Sequence, residues 1–150
     1  QPLRGVRHRD GFRHELVSVF MLATPIAGEL LDRLDVPREW HPLVRYLVAA
    51  HHGHLRVSAR DNRWDGRDGR GIFGCFDGDT TPAFTVDGVE LPTSTIDLAL
   101  FEARRSGAWT DQALTLLAKL GPFRLAYLEA LVRMADWRAS ADLEPAGSSR

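Results

Sequence analysis

Three histidines crowd one short stretch of the chain, His51-His52-Gly53-His54. Adjacent side chains on an α-helix diverge by about 100°. His51 and His52 can therefore share one ion only where a helix loosens, and Gly53 permits that. The plainer reading of the pair is a helix C-cap, with imidazolium complementing the negative end of the macrodipole. A second signal is Asp136, whose neighbours one turn away are Val132, Arg133 and Ser140 in an otherwise largely apolar run. A carboxylate there is costly to bury unless a cation or donors surround it, and an ion pair with Arg133 or Arg138 would also answer that need. The third is His14, between Arg13 and Glu15; taken alone it reads as a surface residue. Helices that bring His14, His51, His52 and Asp136 towards one interior point would make a mixed nitrogen and oxygen site. Such a site suits Mn, Fe, Co or Ni, and Mg less well. A divalent ion in it would polarise a phosphoryl oxygen and acidify water, the two needs of phosphodiester hydrolysis.

The elements that must position these residues can be read from apolar spacing. Phe12, Leu16, Val19, Phe20 and Ala23 recur at helical intervals, and Ile26, Leu30, Leu31 and Leu34 continue the pattern past Pro25. This predicts two helices or one kinked helix, because proline removes a backbone donor and clashes with the preceding turn. Asp35-Val36-Pro37 reads as a turn. A helix starting near Pro42 and stopping at Gly53 is apolar on most faces and is expected to be central. From His54 to about residue 94 the composition shifts to glycine with scattered Arg and Asp, a long irregular insertion. Within it Phe84-Thr85-Val86, Asp87-Gly88 and Val89-Glu90-Leu91 predict a β-hairpin, since Asp-Gly supplies the positive φ angles of a tight turn. Helices are expected over Thr95 to Arg105, over Thr110 to Leu120, and from Phe123 to about Ala141, followed by a polar tail over 143–150.

With 150 residues, 44% hydrophobic and 26% charged, the chain has the balance of one globular domain with a real core. The formal net charge is -1, so no global field draws it to DNA or an acidic membrane. Any polyanion contact must be local. Lys119 is the only lysine among 19 basic residues, and arginine is the side chain that grips phosphate through paired hydrogen bonds. Arg4, Arg7, Arg9 and Arg13 cluster before the first helix, and Arg56, Arg60, Arg63, Arg67 and Arg70 run through the insertion beside Trp64 and Phe73. Arg13 and Arg56 are the candidate nucleic-acid contacts, since strand-tracking grooves combine such charge with aromatic stacking. The competing reading is solvated loop charge, because Asp61, Asp65 and Asp68 lie among them. Cys75 stands alone, which excludes a disulfide framework and fits a reducing, cytoplasmic setting. The most apolar early stretch is about half the roughly 20 residues a bilayer span needs, so no membrane is expected.

Three stretches in order, Gly11-Phe12-Arg13-His14-Glu15-Leu16-Val17-Ser18, Leu47-Val48-Ala49-Ala50-His51-His52-Gly53 and Met134-Ala135-Asp136-Trp137-Arg138-Ala139-Ser140, carry a resemblance. They resemble the later motifs of the HD nuclease domain of the CRISPR-associated nuclease-helicase of type I systems. The stretch from Leu120 to Ala130, Leu120-Gly121-Pro122-Phe123-Arg124-Leu125-Ala126-Tyr127-Leu128-Glu129-Ala130, and the glycine-rich insertion are most similar to the subtype whose HD domain follows the helicase. The resemblance implies an all-α, HD-type helical domain with a small hairpin insertion. It also implies a two-metal endonuclease or exonuclease that degrades single-stranded DNA during antiviral interference, beside a helicase domain of the same protein and a CRISPR effector complex. His14, His51 and His52 match the histidines of one metal, and Asp136 matches the late aspartate of the other.

The family also has an early His and a His-Asp dyad whose carboxylate bridges the metals, and this sequence has no His-Asp dipeptide. His8-Arg9-Asp10 is no substitute, because the changed spacing points different side chains inward. The chain, which begins with Gln, is therefore expected to be either the later part of a longer HD domain, over 1–142, or a degenerate module. Cleavage by these residues alone is expected to be weak or absent. Two other readings stay open: a noncatalytic helical interaction module of a helicase or effector complex, and an HD-type nucleotide phosphohydrolase.

Overall fold

Pro25 decides how the first apolar run divides. In the computed structural model, which describes residues 14–53, 57, 71–72, 74–86, 88–102 and 107–143, α1 (His14–Leu22) ends before it and α2 (Pro25–Arg33) begins on it. A proline in the first helical turn lacks only a donor that would have no intrahelical partner anyway. Thr24 joins the two helices: its Oγ1 donates to the Met21 carbonyl at 2.7 Å and accepts from the Ala27 N–H at 3.3 Å. Asp35, at φ +54°, reverses the chain into a 3-10 turn over Arg38–Trp40 and then α3 (His41–Ala50).

α3 is central, as its apolar faces predict. It packs on α1, on α4 (Trp109–Leu120) and on α5 (Pro122–Leu143), and α4 and α5 pack on each other. Gly121, at φ +77°, makes the sharp corner between those last two helices. Leu16 and Val19 of α1 are fully buried against Tyr46, Ala49 and Ala50 of α3. Tyr46 stacks on Trp109 with ring centroids 6.0 Å apart, and Phe101 meets Phe20 edge-on at 5.6 Å. No helix among the described residues is long and apolar enough to cross a membrane.

The middle segment holds more strand than the single expected hairpin. β1 (Gly71–Ile72) pairs with β2 (Cys75–Phe76), and β3 (Thr80–Thr81) pairs with β6 (Ser94–Thr95). Between the latter pair lies the predicted hairpin of β4 (Phe84–Val86) and β5 (Val89–Leu91), with Gly88 at φ +76° in its turn. Among the described residues the three sheets are two-stranded and antiparallel. Two of them are tied into the helices: Cys75 joins the main core, while Val89 and Leu91 pack with Met21, Ala27 and Leu30.

Where a helix is expected over Thr95 to Arg105, the described part through Glu102 is a strand end and one 3-10 turn, Leu98–Phe101, with Glu102 extended; the rest of that range lies outside the described residues. The donors that would start a helix are taken up elsewhere. Ile96 N–H goes to the Asp79 carbonyl, Leu98 N–H to Asp77 Oδ1, and Ala99 N–H to Asp97 Oδ1. Side-chain capture of backbone donors by Asp is a local alternative to helix. Here Asp77 of the preceding loop wins over apolar periodicity, while Asp97 caps the single turn that remains.

Candidate metal centre

The site forms where α3 ends. His51 N–H still closes a helical bond to the Leu47 carbonyl at 3.1 Å, but Gly53 N–H reaches back only to Ala50, at 2.7 Å, and Gly53 sits at φ +76°. That tightened exit alters the usual divergence of neighbouring helical side chains. The two imidazoles lie with centroids 4.0 Å apart and planes tilted by 42°. His51 is buried at 8% exposure, and His52 is half-buried.

Opposite them, α5 contributes Asp136. One ligating atom from each of His51, His52 and Asp136 lies within 4.8 Å of the others. Three donors can surround one first-row cation with bonds near about 2.0–2.2 Å when their mutual separations are about 3–3.5 Å, so modest side-chain adjustment closes the set. Two imidazoles and one carboxylate match the borderline ions Mn, Fe, Co and Ni better than Mg.

His51 Nδ1 lies 2.5 Å from the Val48 carbonyl. A carbonyl only accepts, so Nδ1 is the donor of this contact, and Nε2 is the ring nitrogen a cation would meet. The capping reading and the ligand reading of His51 are thus compatible, because each uses a different ring nitrogen.

Arg133 connects the two helices at this point. Its Nε donates to the His51 carbonyl at 2.7 Å, and a Cβ placed on Gly53 would lie 2.8 Å from its Nη2. Gly53 adopts the left-handed backbone angle, and its missing side chain leaves room for the tip of the guanidinium. With Arg133 so engaged, no ion pair joins Asp136 to Arg133 or Arg138 among the described residues. One turn earlier on α5, Glu129 Oε1 accepts from the Tyr46 hydroxyl at 2.7 Å. A cleft of about 190 Å³ opens beside His51, lined by Ala50, Ala126, Glu129, Ala130, Arg133 and Met134.

The structure therefore brings together His51, His52 and Asp136. His14 opens α1, which packs on α3, but its side chain lies outside the described residues. So do Arg13 and Arg56, the candidate nucleic-acid contacts, and most of the arginine-rich insertion with Trp64 and Phe73. Sequence reasoning missed Arg133 and Glu129 as builders of the site. The signal was present: Glu129, Arg133 and Asp136 are spaced i, i+4 and i+7, one stripe of a helix.

No protein-family model matches the chain, and no curated protein or solved structure is detectably similar to it.

Proposed function

We propose that the chain is a metal-dependent phosphodiester hydrolase domain of HD type, the later part of a nuclease acting on single-stranded DNA in CRISPR interference. The convergence of His51, His52 and Asp136 within 4.8 Å carries this reading. In it, His51 Nε2, His52 and Asp136 hold one divalent ion, with His14 as a further candidate ligand from α1. A cation held there would act as a Lewis acid on a phosphoryl oxygen. Arg133 fixes the distance between the two helices that supply the ligands. The sequence lacks the His-Asp carboxylate that bridges two metals in the family it resembles, so this chain alone supplies one ion site. A helicase domain and an effector complex would deliver the strand.

The test is Mn²⁺ binding followed by thermal unfolding and calorimetry, on the parent chain, His52→Ala and Asp136→Asn. At a hundredfold excess over the dissociation constant a site-bound ion stabilises by about 2.7 kcal/mol. For a domain of this size that raises Tm by about 5–10 °C. The variants should fold and lose that shift; an unchanged shift in both removes the site. Assays with single-stranded DNA and with nucleoside triphosphates, with and without EDTA, separate the nuclease from a nucleotide phosphohydrolase. The noncatalytic interaction module is favoured by one observation, a row of large apolar side chains exposed on α5.

A further inference from the structure

The buried side of α5 is ordinary: Leu125 is 4% exposed, and Leu128, Glu129, Val132, Arg133 and Asp136 are half-buried. Its other side is not. Phe123 is 90% exposed, Tyr127 64%, Met134 50% and Trp137 64%, with Leu131 at 44% beside them. Ala130 and Ala141 are also exposed. Phe123, Tyr127, Ala130, Met134, Trp137 and Ala141 follow one another at gaps of four, three, four, three and four residues, which is the a/d spacing of a two-helix seam.

From this face we propose that α5 pairs antiparallel with α5 of a second copy of this chain. The order of sizes along the seam supports a second copy over a generic partner. Turning a copy end for end about residue 132 sets Phe123 against the partner's Ala141, Tyr127 against the partner's Trp137, and Ala130 against the partner's Met134. Two of the three layers match large with small, and the third stacks two aromatics. The five large side chains would bury about 650 Å² per copy, given that an aromatic residue carries about 150–250 Å². Alanines and arginine stems add to this, approaching the roughly 800 Å² per partner of a stable interface.

The pairing has a charge signature. Arg124 and Arg138 are exposed and flank the seam, one heptad either side of Leu131. Antiparallel pairing sets Arg124 beside the partner's Arg138 on one edge and repeats this by symmetry. Like charges on a wet rim repel weakly and are screened by salt. The dimer should therefore tighten as salt rises, whereas an acid-flanked helix docking on the same face would loosen. Ala130 and Met134 line both the seam and the cleft beside His51, but the pairing does not rest on the metal reading: the ligand candidate Asp136 is no part of the seam, so dimerisation and metal binding are read separately and either can fail alone.

Sedimentation equilibrium on the 150-residue chain, from about 1 to 200 μM and from about 0.05 to 0.5 M NaCl, tests it. The expected result is a monomer–dimer equilibrium that tightens with salt. Trp137→Glu, at an exposed position, should keep the helical circular dichroism and leave a monomer. Arg138→Glu replaces both Arg–Arg contacts with Arg–Glu contacts, so it should tighten the dimer about 3- to 30-fold and reverse the salt trend. A parent chain that is monomeric throughout overturns the proposal, including one that instead binds a Glu-flanked amphipathic peptide. A dimer indifferent to Trp137→Glu, or one weakened by Arg138→Glu, overturns it equally.

Discussion

Replacing Gly53 with alanine would disturb the junction of α3 and α5 in two separable ways. At φ +76° an alanine carries a left-handed strain of about 1–2 kcal/mol. Its Cβ would also lie 2.8 Å from Arg133 Nη2, displacing the guanidinium from the His51 carbonyl it now meets at 2.7 Å. A hydrogen bond from a charged donor contributes about 1.5–3 kcal/mol when made. Partial retreat of a long side chain recovers some of it, so Gly53→Ala should destabilise by about 2–4 kcal/mol, lowering Tm by about 5–15 °C. The double-mutant cycle with Arg133→Met isolates the contact. In the Arg133→Met background only the backbone strain remains, so the coupling should be about 1–2 kcal/mol. Gly53→Asn sharpens the comparison, because asparagine tolerates the left-handed region yet still carries the intruding Cβ. Urea unfolding monitored by far-UV circular dichroism gives all the terms. If Gly53→Ala and Arg133→Met add to within about 0.5 kcal/mol, the guanidinium does not depend on the empty space at Gly53 and the reasoning fails.

Leu16 is fully buried between α1 and α3, so Leu16→Ala should destabilise by about 2–5 kcal/mol in urea unfolding. Tyr46→Phe keeps the ring stacked on Trp109 but removes the hydroxyl that Glu129 accepts, and should lower unfolding free energy by about 1–2 kcal/mol. The Arg38 hydrogen bond holds the Asp32 carboxyl below its usual pKa of 3.8, with desolvation opposing and the Arg38 and His41 charges assisting. A lowered carboxylate pKa contributes stability that is complete above the unfolded value and fades as pH falls through the folded one. The urea midpoints of parent and Asp32→Asn should therefore differ at pH 5 and converge by about pH 2, a gap that also narrows with salt.

The helices were legible because proline and glycine mark their ends: Pro25, Pro42 and Gly121 each stand where a helix starts or stops. The hairpin at 84–91 was legible for the same reason, through Gly88. Pairings such as Thr80 with Thr95 were not, since they join residues distant in sequence whose partners are fixed by Asp77 and Asp79 capturing backbone donors. At the site, His51, His52 and Asp136 could be nominated from residue type, and Gly53 correctly implied the loosened exit. The role of Arg133 was hidden because its acceptor is a main-chain carbonyl, and sequence gives no sign of which carbonyls a helix end leaves open.

Cys75 gives the chain a built-in reporter of local opening. It is the sole cysteine, it is fully buried, and it sits in β2 rather than in any helix while belonging to the same core as Leu16 and Val19. A thiol reagent can reach it only when the small β segment lifts away from the helices or when the helices themselves come apart. The dependence of labelling rate on denaturant distinguishes these, because a partial opening exposes less surface and has a shallower slope than global unfolding. If the segment lifts alone, labelling proceeds at a rate nearly flat in denaturant. If strands and helices form one cooperative unit, the protection of this single sulfur measures the stability of the whole fold.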